Sequence, residues 1–160
     1  MATPTNLPAA AVAGDILTAS YVNNLRGAFR VLQVISGTTT TQTSTTSATY
    51  ATTNLAASIT PQSSTSKILV MTSQPFLAST NAANIGLRLV RGATNVWTSD
   101  RAMYLGADLG VTQNILYFDS PATTSATTYT VQFARVSGTG TAFAQLGFEQ
   151  SNMILMEISA

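Results

Sequence analysis

The stretch TTYTVQFARV, from Thr127 to Val136, alternates polar and apolar side chains more clearly than any other part of this chain. Tyr129, Val131 and Phe133 occupy every second position, and threonine or glutamine stands between them. A period of two places successive side chains on opposite faces of a strand. The stretch therefore predicts a β-strand with one face in a hydrophobic core.

Further strand candidates lie on both sides of this one, separated by turn residues. They are Phe29–Ile35, Leu55–Thr60, Lys67–Ala78, Asn84–Arg91, Val96–Thr98, Arg101–Leu105, Thr112–Asp119, Thr141–Leu146 and Asn152–Ile158. Many short strands with regular turns indicate an all-β sandwich or barrel. A jelly-roll-like antiparallel β-sandwich of eight strands fits the length. Pro75 suggests an edge position or a bulge, and the apolar C-terminal strand is expected near the centre of a sheet.

Residues 37–53 are mostly threonine and serine, and two interpretations compete for them. One is a disordered, hydroxyl-rich linker. The other is a pair of strand edges with threonine facing solvent, because β-branched residues favour strands. We favour the strand interpretation, in which Tyr50 offers a buried anchor.

The N-terminal part has a different character. Residues 2–13 contain two prolines and small residues, which predict an extended arm. Thr18 is a candidate N-cap of a short helix that ends at Gly27, and its apolar stripe consists of Leu17, Tyr21 and Leu25. We therefore divide the chain into residues 1–36, with arm, helix and first strand, and a β-sandwich domain over residues 37–160.

Composition excludes several classes of function. Only 8% of the residues are charged, whereas 43 of 160 are threonine or serine. The chain has no cysteine and no histidine, which excludes disulfides, a Ser-His-Asp triad and ordinary zinc or haem sites. A net charge of +1 gives no indication of a basic surface that would bind nucleic acid or an anionic membrane. We expect no cofactor and no metal, and neither a secretory signal nor a membrane span is visible.

The acidic residues offer little support for catalysis. Asp100, Asp108, Asp119 and Glu149 could in principle supply a carboxylate pair for glycoside cleavage. Isolated aspartates beside turns more commonly bond to neighbouring backbone. We expect no enzyme.

A second possible site contains aromatic side chains. Trp97 and Tyr104 flank a polar stretch that includes Asp100, and aromatic rings beside hydrogen-bonding groups can form a sugar-binding surface. The alternative, which we favour, is that Trp97 packs inside the sandwich or in a subunit interface.

Two strands are apolar on both faces. The runs Ile68–Met71 and Met153–Met156 cannot hide both faces in a sandwich of two sheets. One face fits the core, and the other needs a partner such as a second subunit. With few charges to oppose association, an oligomer is expected.

Three segments resemble bacteriophage virion proteins, particularly tail-fibre and head-decoration proteins. They are VAGDILTASYVNNLRGAFRVLQV at 12–34, SITPQSSTSKILVM at 58–71 and NMILMEISA at 152–160. The resemblance implies a trimeric, β-rich virion domain. By matching position it places Gly14, Asp15, Leu17, Asn24 and Leu25 in an attachment segment, and Ser66, Lys67 and Ile68 at the start of a structural strand.

The resulting hypothesis is a phage capsid decoration or cement protein that forms a homotrimer, bridges major capsid protein subunits and stabilises the head. It would be made in the host cytoplasm and reside on the capsid surface. The candidate attachment residues are Leu7, Asp15, Leu17, Tyr21, Leu25, Arg26 and Phe29. The alternative is a short tail-fibre or receptor-binding module that recognises host carbohydrate through Trp97, Asp100 and Tyr104.

Overall fold

The structure is a computed structural model that describes residues 18, 30–79, 81–147 and 149–159. These residues contain ten β-strands: β1 (Val31–Thr39), β2 (Thr43–Thr45), β3 (Ala51–Ile59), β4 (Lys67–Ser79), β5 (Ala83–Arg91), β6 (Thr94–Leu105), β7 (Leu109–Asp119), β8 (Thr127–Gly138), β9 (Thr141–Ala144) and β10 (Ser151–Ile158). The all-β prediction is confirmed. Apart from Thr18, the predicted arm and short helix lie outside the described residues.

The strands form two antiparallel sheets that pack against each other. The first sheet has the order β1-β10-β4-β9-β2, and β7 also pairs with β4. The second sheet has the order β3-β8-β5-β6. Because β7 pairs with the whole stretch Ile68–Ala78, which overlaps the partners of both β9 and β10, it occupies the other edge of β4.

Two positions in the first sheet are each occupied by two short strands that lie end to end. β10 pairs with Lys67–Ser73 of β4, and β9 pairs with Phe76–Ser79 along the same edge. In the same way, β1 pairs with β10 and β2 pairs with β9. The sheet is therefore four strands wide, in the order β1/β2, β10/β9, β4 and β7.

Pro75 lies in a central strand rather than at an edge, and the interruption explains how it fits there. Neither β9 nor β10 pairs with Gln74 or Pro75. The Pro75 carbonyl instead accepts a hydrogen bond from the backbone N–H of Gln145, at 3.1 Å. In an antiparallel strand the N–H and C=O of one residue point to the same side. The missing proline N–H therefore faces the gap, where no ladder bond is lost.

The core contains the alternating residues that the sequence indicates. Tyr129, Val131 and Phe133 of β8 are all buried. The buried apolar side chains form two clusters, one around Tyr129 and one around Phe133. In the second cluster the rings of Phe76 and Phe133 pack at 6.0 Å between centroids.

A buried polar group lies between the two apolar clusters. The inward row of β4 passes from Val70 to Gln74 and then to Phe76. The carboxamides of Gln74 and Gln145 meet there, and the Gln145 carboxamide lies 2.8 Å from the Ser151 hydroxyl. Gln145 has a φ of 53° where the chain leaves β9. These amides satisfy backbone groups that the interrupted strands leave without ladder partners.

The hydroxyl-rich residues 37–53 form strands, as we favoured. β1 extends to Thr39, β2 covers Thr43–Thr45 and β3 begins at Ala51. The C-terminal strand β10 lies between β1 and β4, so its predicted central position is also confirmed. The two predicted strands at Val96–Thr98 and Arg101–Leu105 are one continuous strand, β6.

Candidate interaction surface

Strands β4 and β10 are apolar on both faces, as the sequence predicts. Ile68 and Val70 are fully buried in the core, whereas Leu69 and Met71, which alternate with them, point outward. β10 alternates in the same way, and its Ile154 is exposed. The second apolar face of these strands lies on the outside of the sandwich.

The strand register aligns the outward side chains in rows across the four strands. One row is Val34, Met156, Leu69 and Phe118, and the next is Ser36, Ile154, Met71 and Leu116. Val31 pairs with Ile158 beside the first row. We call these nine apolar side chains the apolar face: Val31, Val34, Leu69, Met71, Leu116, Phe118, Ile154, Met156 and Ile158.

The apolar face is large enough to mark a contact surface. Strands about 4.8 Å apart and residue pairs about 7 Å apart give a patch on the order of 300 Å². Leu116 is 71% exposed and Phe118 is 54% exposed. Contiguous apolar patches of this size on a soluble domain commonly form interaction sites.

Polar residues border the apolar face at both ends. At one end the next row consists of Thr38, Asn152, Ser73 and Asn114. At the other end the Lys67 ammonium donates to the Ser120 hydroxyl at 2.7 Å. Neither row of the apolar face contains a charged side chain, so nothing in it resists association with an apolar partner.

The outer face of the second sheet has the opposite character. Its outward positions are mostly hydroxyl and amide side chains, such as Ser58 and Thr128, whose hydroxyls are 2.6 Å apart. Thr130 and Gln132 continue this row along β8. The two outer faces of the sandwich thus differ: one is apolar and the other is polar.

One cluster of charged and aromatic groups lies on the polar outer face. The Arg88 guanidinium stacks on the Tyr50 ring, 3.7 Å from its centroid, and the Tyr50 hydroxyl donates to Asp100 at 2.7 Å. Burial and the neighbouring Asp100 carboxylate raise the pKa of Tyr50 to about 12. Tyr50 also covers Gly86, which has no side chain to obstruct the ring. Sequence reasoning missed this cluster because its members lie far apart in the chain.

An ion pair joins the two sheets at one end of the sandwich. Arg91 Nη1 lies 2.7 Å from a carboxylate oxygen of Asp119, which also accepts a bond from the Tyr129 hydroxyl at 2.6 Å. Burial and the bond to Asp119 raise the pKa of Tyr129. Partial burial lowers the pKa of Arg91, but Asp119 outweighs this and raises it above the ordinary value. Asp119 therefore has a structural role, because its carboxylate holds Arg91 and Tyr129.

The predicted glycan residues do not form one surface. Trp97 packs against both apolar clusters of the core. Tyr104 lies between the buried Met103 and Leu105 and is 68% exposed, so it points away from the core. Asp100 is exposed and bonded to Tyr50. The structure therefore separates Trp97 from the other two.

The predicted attachment residues fall elsewhere. Leu7, Asp15, Leu17, Tyr21, Leu25, Arg26 and Phe29 all lie outside the described residues. Ser66, Lys67 and Ile68 are described: Ser66 directly precedes β4, and Lys67 is its first residue.

Neither a metal cluster nor a membrane-spanning helix was found in the described part of the chain. No three histidine, cysteine, aspartate or glutamate residues there come together as metal ligands. No helix among these residues is long and apolar enough to cross a membrane. The chain matches no protein-family model, and no curated protein matches it either.

Proposed function

We propose that this protein is a bacteriophage virion component, a decoration or cement protein on the capsid surface. The observation that carries the proposal is the apolar face, together with its contrast to the polar outer face of the second sheet. The largest apolar patch on a soluble domain is often an interaction site, and the scarcity of charge favours packing among copies. The three segments that resemble phage virion proteins supply the class of assembly.

We also interpret the sandwich as a jelly roll. Four strands, β1/β2, β10/β9, β4 and β7, face four others, β3, β8, β5 and β6. When β1/β2 and β10/β9 are each counted as one strand, every connection except the β5–β6 hairpin crosses from one sheet to the other. This eight-stranded order supports the jelly-roll interpretation, and domains with that architecture build many viral capsids.

The proposed mechanism is mechanical. Copies associate into a homotrimer through the apolar face, which removes Leu116, Phe118 and their neighbours from water. At about 25 cal/mol per Å², a patch of this size contributes several kcal/mol per copy before association entropy is subtracted. The N-terminal residues then bridge major capsid subunits, and the added contact area resists internal DNA pressure.

Light scattering and quantitation of purified virions test this proposal. We expect a trimer in solution, and hundreds of copies per virion. A monomer in solution, or a handful of copies confined to the tail, would contradict the decoration role. A virion reconstruction that locates the chain on the head would identify the capsid sites it covers.

The second candidate is a short tail-fibre or receptor-binding module for host carbohydrate. Its support is the exposed Tyr104 on the outer face that also carries Asp100 and Tyr50. A glycan array compares the wild type with Tyr104→Ala, with Trp97→Ala as a second variant. Binding that Tyr104→Ala abolishes would favour this candidate over decoration.

A further inference from the structure

The two sheets have four edges, and three of them are irregular. β1 has a bulge between Val31 and Gln33 and stops at Thr39. β3 has a register shift between Thr52 and Ala56. The pairing of β6 with β5 has two register shifts, and β6 carries charged residues in its middle. Bulges, breaks and charges are the features that prevent an edge strand from pairing with another chain.

The edge strand β7 lacks these features. It pairs with β4 over eleven consecutive residues without a register shift. It contains no proline and no lysine or arginine, and its one acid, Asp119, is its buried last residue. Within the described residues β7 pairs with β4 alone. About half of its backbone N–H and C=O groups therefore face outward along a regular, uncharged edge.

We propose that the free edge of β7 receives residues 2–13 of a second copy as an added strand. This inference rests on the proposed function, because it specifies how the copies of the trimer are linked. An added strand would extend the first sheet by one strand and satisfy the open edge through main-chain hydrogen bonds.

The composition and length of residues 2–13 fit this edge. The segment carries no charge, and neither does β7 before Asp119. Twelve extended residues span about 40 Å and the eleven of β7 span about 37 Å. Pro4 and Pro8 are four residues apart, so in a strand their nitrogens point to the same side. Thr5 and Leu7 then direct their N–H groups to β7, while both prolines face solvent, as the outermost strand of a sheet permits.

The position of β1 favours exchange between copies. The described strands begin with β1, which lies at the opposite edge of the same sheet from β7. A neighbour that places its β1 edge beside β7 brings the start of its described sandwich, at Arg30, close to that edge, and the residues between 13 and 30 are enough to connect the exchanged segment to it. Head-to-tail exchange forms a closed ring when the rotation between neighbours closes, and a rotation of about 120° gives the ring of three that the proposed function requires. Direct β7–β7 pairing is two-fold symmetric, which a ring of three does not contain.

A groove beside β7 offers a seat for a side chain of the added strand. Its volume is about 250 Å³, and its walls include Pro75, Leu77, Gly110, Thr112 and Leu146. The groove opens where the chain between β9 and β10 leaves the sheet. Its walls are mixed: Leu77 and Leu146 offer apolar contact to a proline or leucine side chain of the incoming segment, whereas Thr112 and Glu149 are polar.

Engineered disulfides test the exchange cleanly because the chain has no cysteine of its own. Thr3→Cys, Thr5→Cys or Leu7→Cys is combined with Asn114→Cys on one face of β7 or Gln113→Cys on the other. Each full-length variant is oxidised mildly and run on denaturing gels without reductant. We expect at least one pair to convert most of the protein into covalent dimers and trimers. The control pairs each N-terminal cysteine with Ala56→Cys on the edge strand β3 and should remain monomeric.

The other outcomes overturn the inference in distinguishable ways. Disulfides that form within one chain would overturn exchange between copies. Covalent dimers of Asn114→Cys or Gln113→Cys alone would indicate β7–β7 pairing instead. A trimer by light scattering that no pair cross-links would overturn only this inference and leave the proposed function standing. A monomer by light scattering would overturn both.

Discussion

Gly37 shows how one missing side chain lets the two sheets approach. It lies in β1, and a Cβ built on it would collide with the backbone carbonyl of Ala56 in β3. We therefore expect Gly37→Ala to lower the free energy of unfolding by about 2–3 kcal/mol, because neither backbone can move away cheaply. Urea denaturation followed by circular dichroism measures the change.

Gly110→Ala is the matched control for this prediction. Gly110 also lies in a strand of the first sheet, but a Cβ there would meet its nearest atom at an ordinary 3.4 Å. Its substitution should be neutral or slightly stabilising, since alanine loses less backbone entropy than glycine on folding. Equal effects at the two glycines would show that the close approach does not matter.

The raised pKa of Tyr129 predicts that the free energy of unfolding falls at alkaline pH. Burial and the bond to Asp119 raise its pKa above the ordinary value near 10. The stabilisation that this raised pKa represents is complete below about pH 10 and is lost as the pH rises through the folded-state pKa. Urea denaturation at pH 8 and pH 11 should show a large decrease for the wild type. Tyr129→Phe should be less stable at pH 8 but show a smaller decrease, with Tyr50 supplying the remainder.

At the scale of strands, alternation in the sequence predicted most of the fold. β8 and β5 were recognised because their buried residues repeat every second position, and two-sided strands such as β4 were recognised by continuous apolar runs. The interruption between β9 and β10 was not predictable. It depends on Gln145, Gln74 and Ser151 meeting in the core, and these residues are brought together only by the sheet register. β6 appeared as two strands because its bulged middle is polar.

The apolar face predicts the effect of a charge on association. Leu116→Lys places an ammonium on the most exposed residue of this face. We expect the trimer to dissociate, because a desolvated charge opposes burial of the patch. The free energy of unfolding of the separated subunit should change by only about 0.5 kcal/mol, since Leu116 does not contact the core. Light scattering and urea denaturation measure the two quantities.

Ala56→Lys is the control for this variant. Ala56 is exposed on β3, an edge strand of the second sheet, so a lysine there adds the same charge far from the apolar face. It should leave the trimer intact. Trimers that persist in Leu116→Lys would show that copies do not associate through the apolar face.

For the whole molecule, composition and strand pattern together indicated the surface but not its partner. The scarcity of charge and the two-sided strands predicted an apolar outer face, and the structure places one at Leu69, Met71 and their neighbours. What covers that face depends on a second molecule, about which a single sequence carries no spatial information. The Tyr50–Arg88–Asp100 cluster was likewise out of reach, because only the folded sheet brings residues from three separate segments together.

We propose that the sandwich associates with other copies and that the N-terminal residues attach to the capsid, and this gives a prediction for the intact assembly. The described sandwich holds its own ends: the Arg30 backbone N–H donates to the Ser159 hydroxyl at 2.9 Å, and β1 pairs with β10. We therefore expect deletion of Ala2–Leu25 to leave the circular dichroism spectrum of the sandwich nearly unchanged, whereas the urea midpoint should fall to the extent that the exchanged residues 2–13 stabilise the trimer. Binding to capsids, measured by cosedimentation with purified heads, should be lost because the segment that we propose bridges capsid subunits is gone.

Point variants distinguish the loss of particular attachment contacts from the general effect of deleting the whole segment. Leu17→Ser and Tyr21→Ser keep the full length but remove apolar contact area from the proposed attachment segment. Each should weaken capsid binding by about thirtyfold, since burying one large apolar side chain contributes about 2 kcal/mol. Thr18→Ser, a conservative change within the same segment, should bind like the wild type. Capsid binding by the truncated chain at the level of the full protein would place the attachment surface on the sandwich instead, and the apolar face would then be the first surface to test.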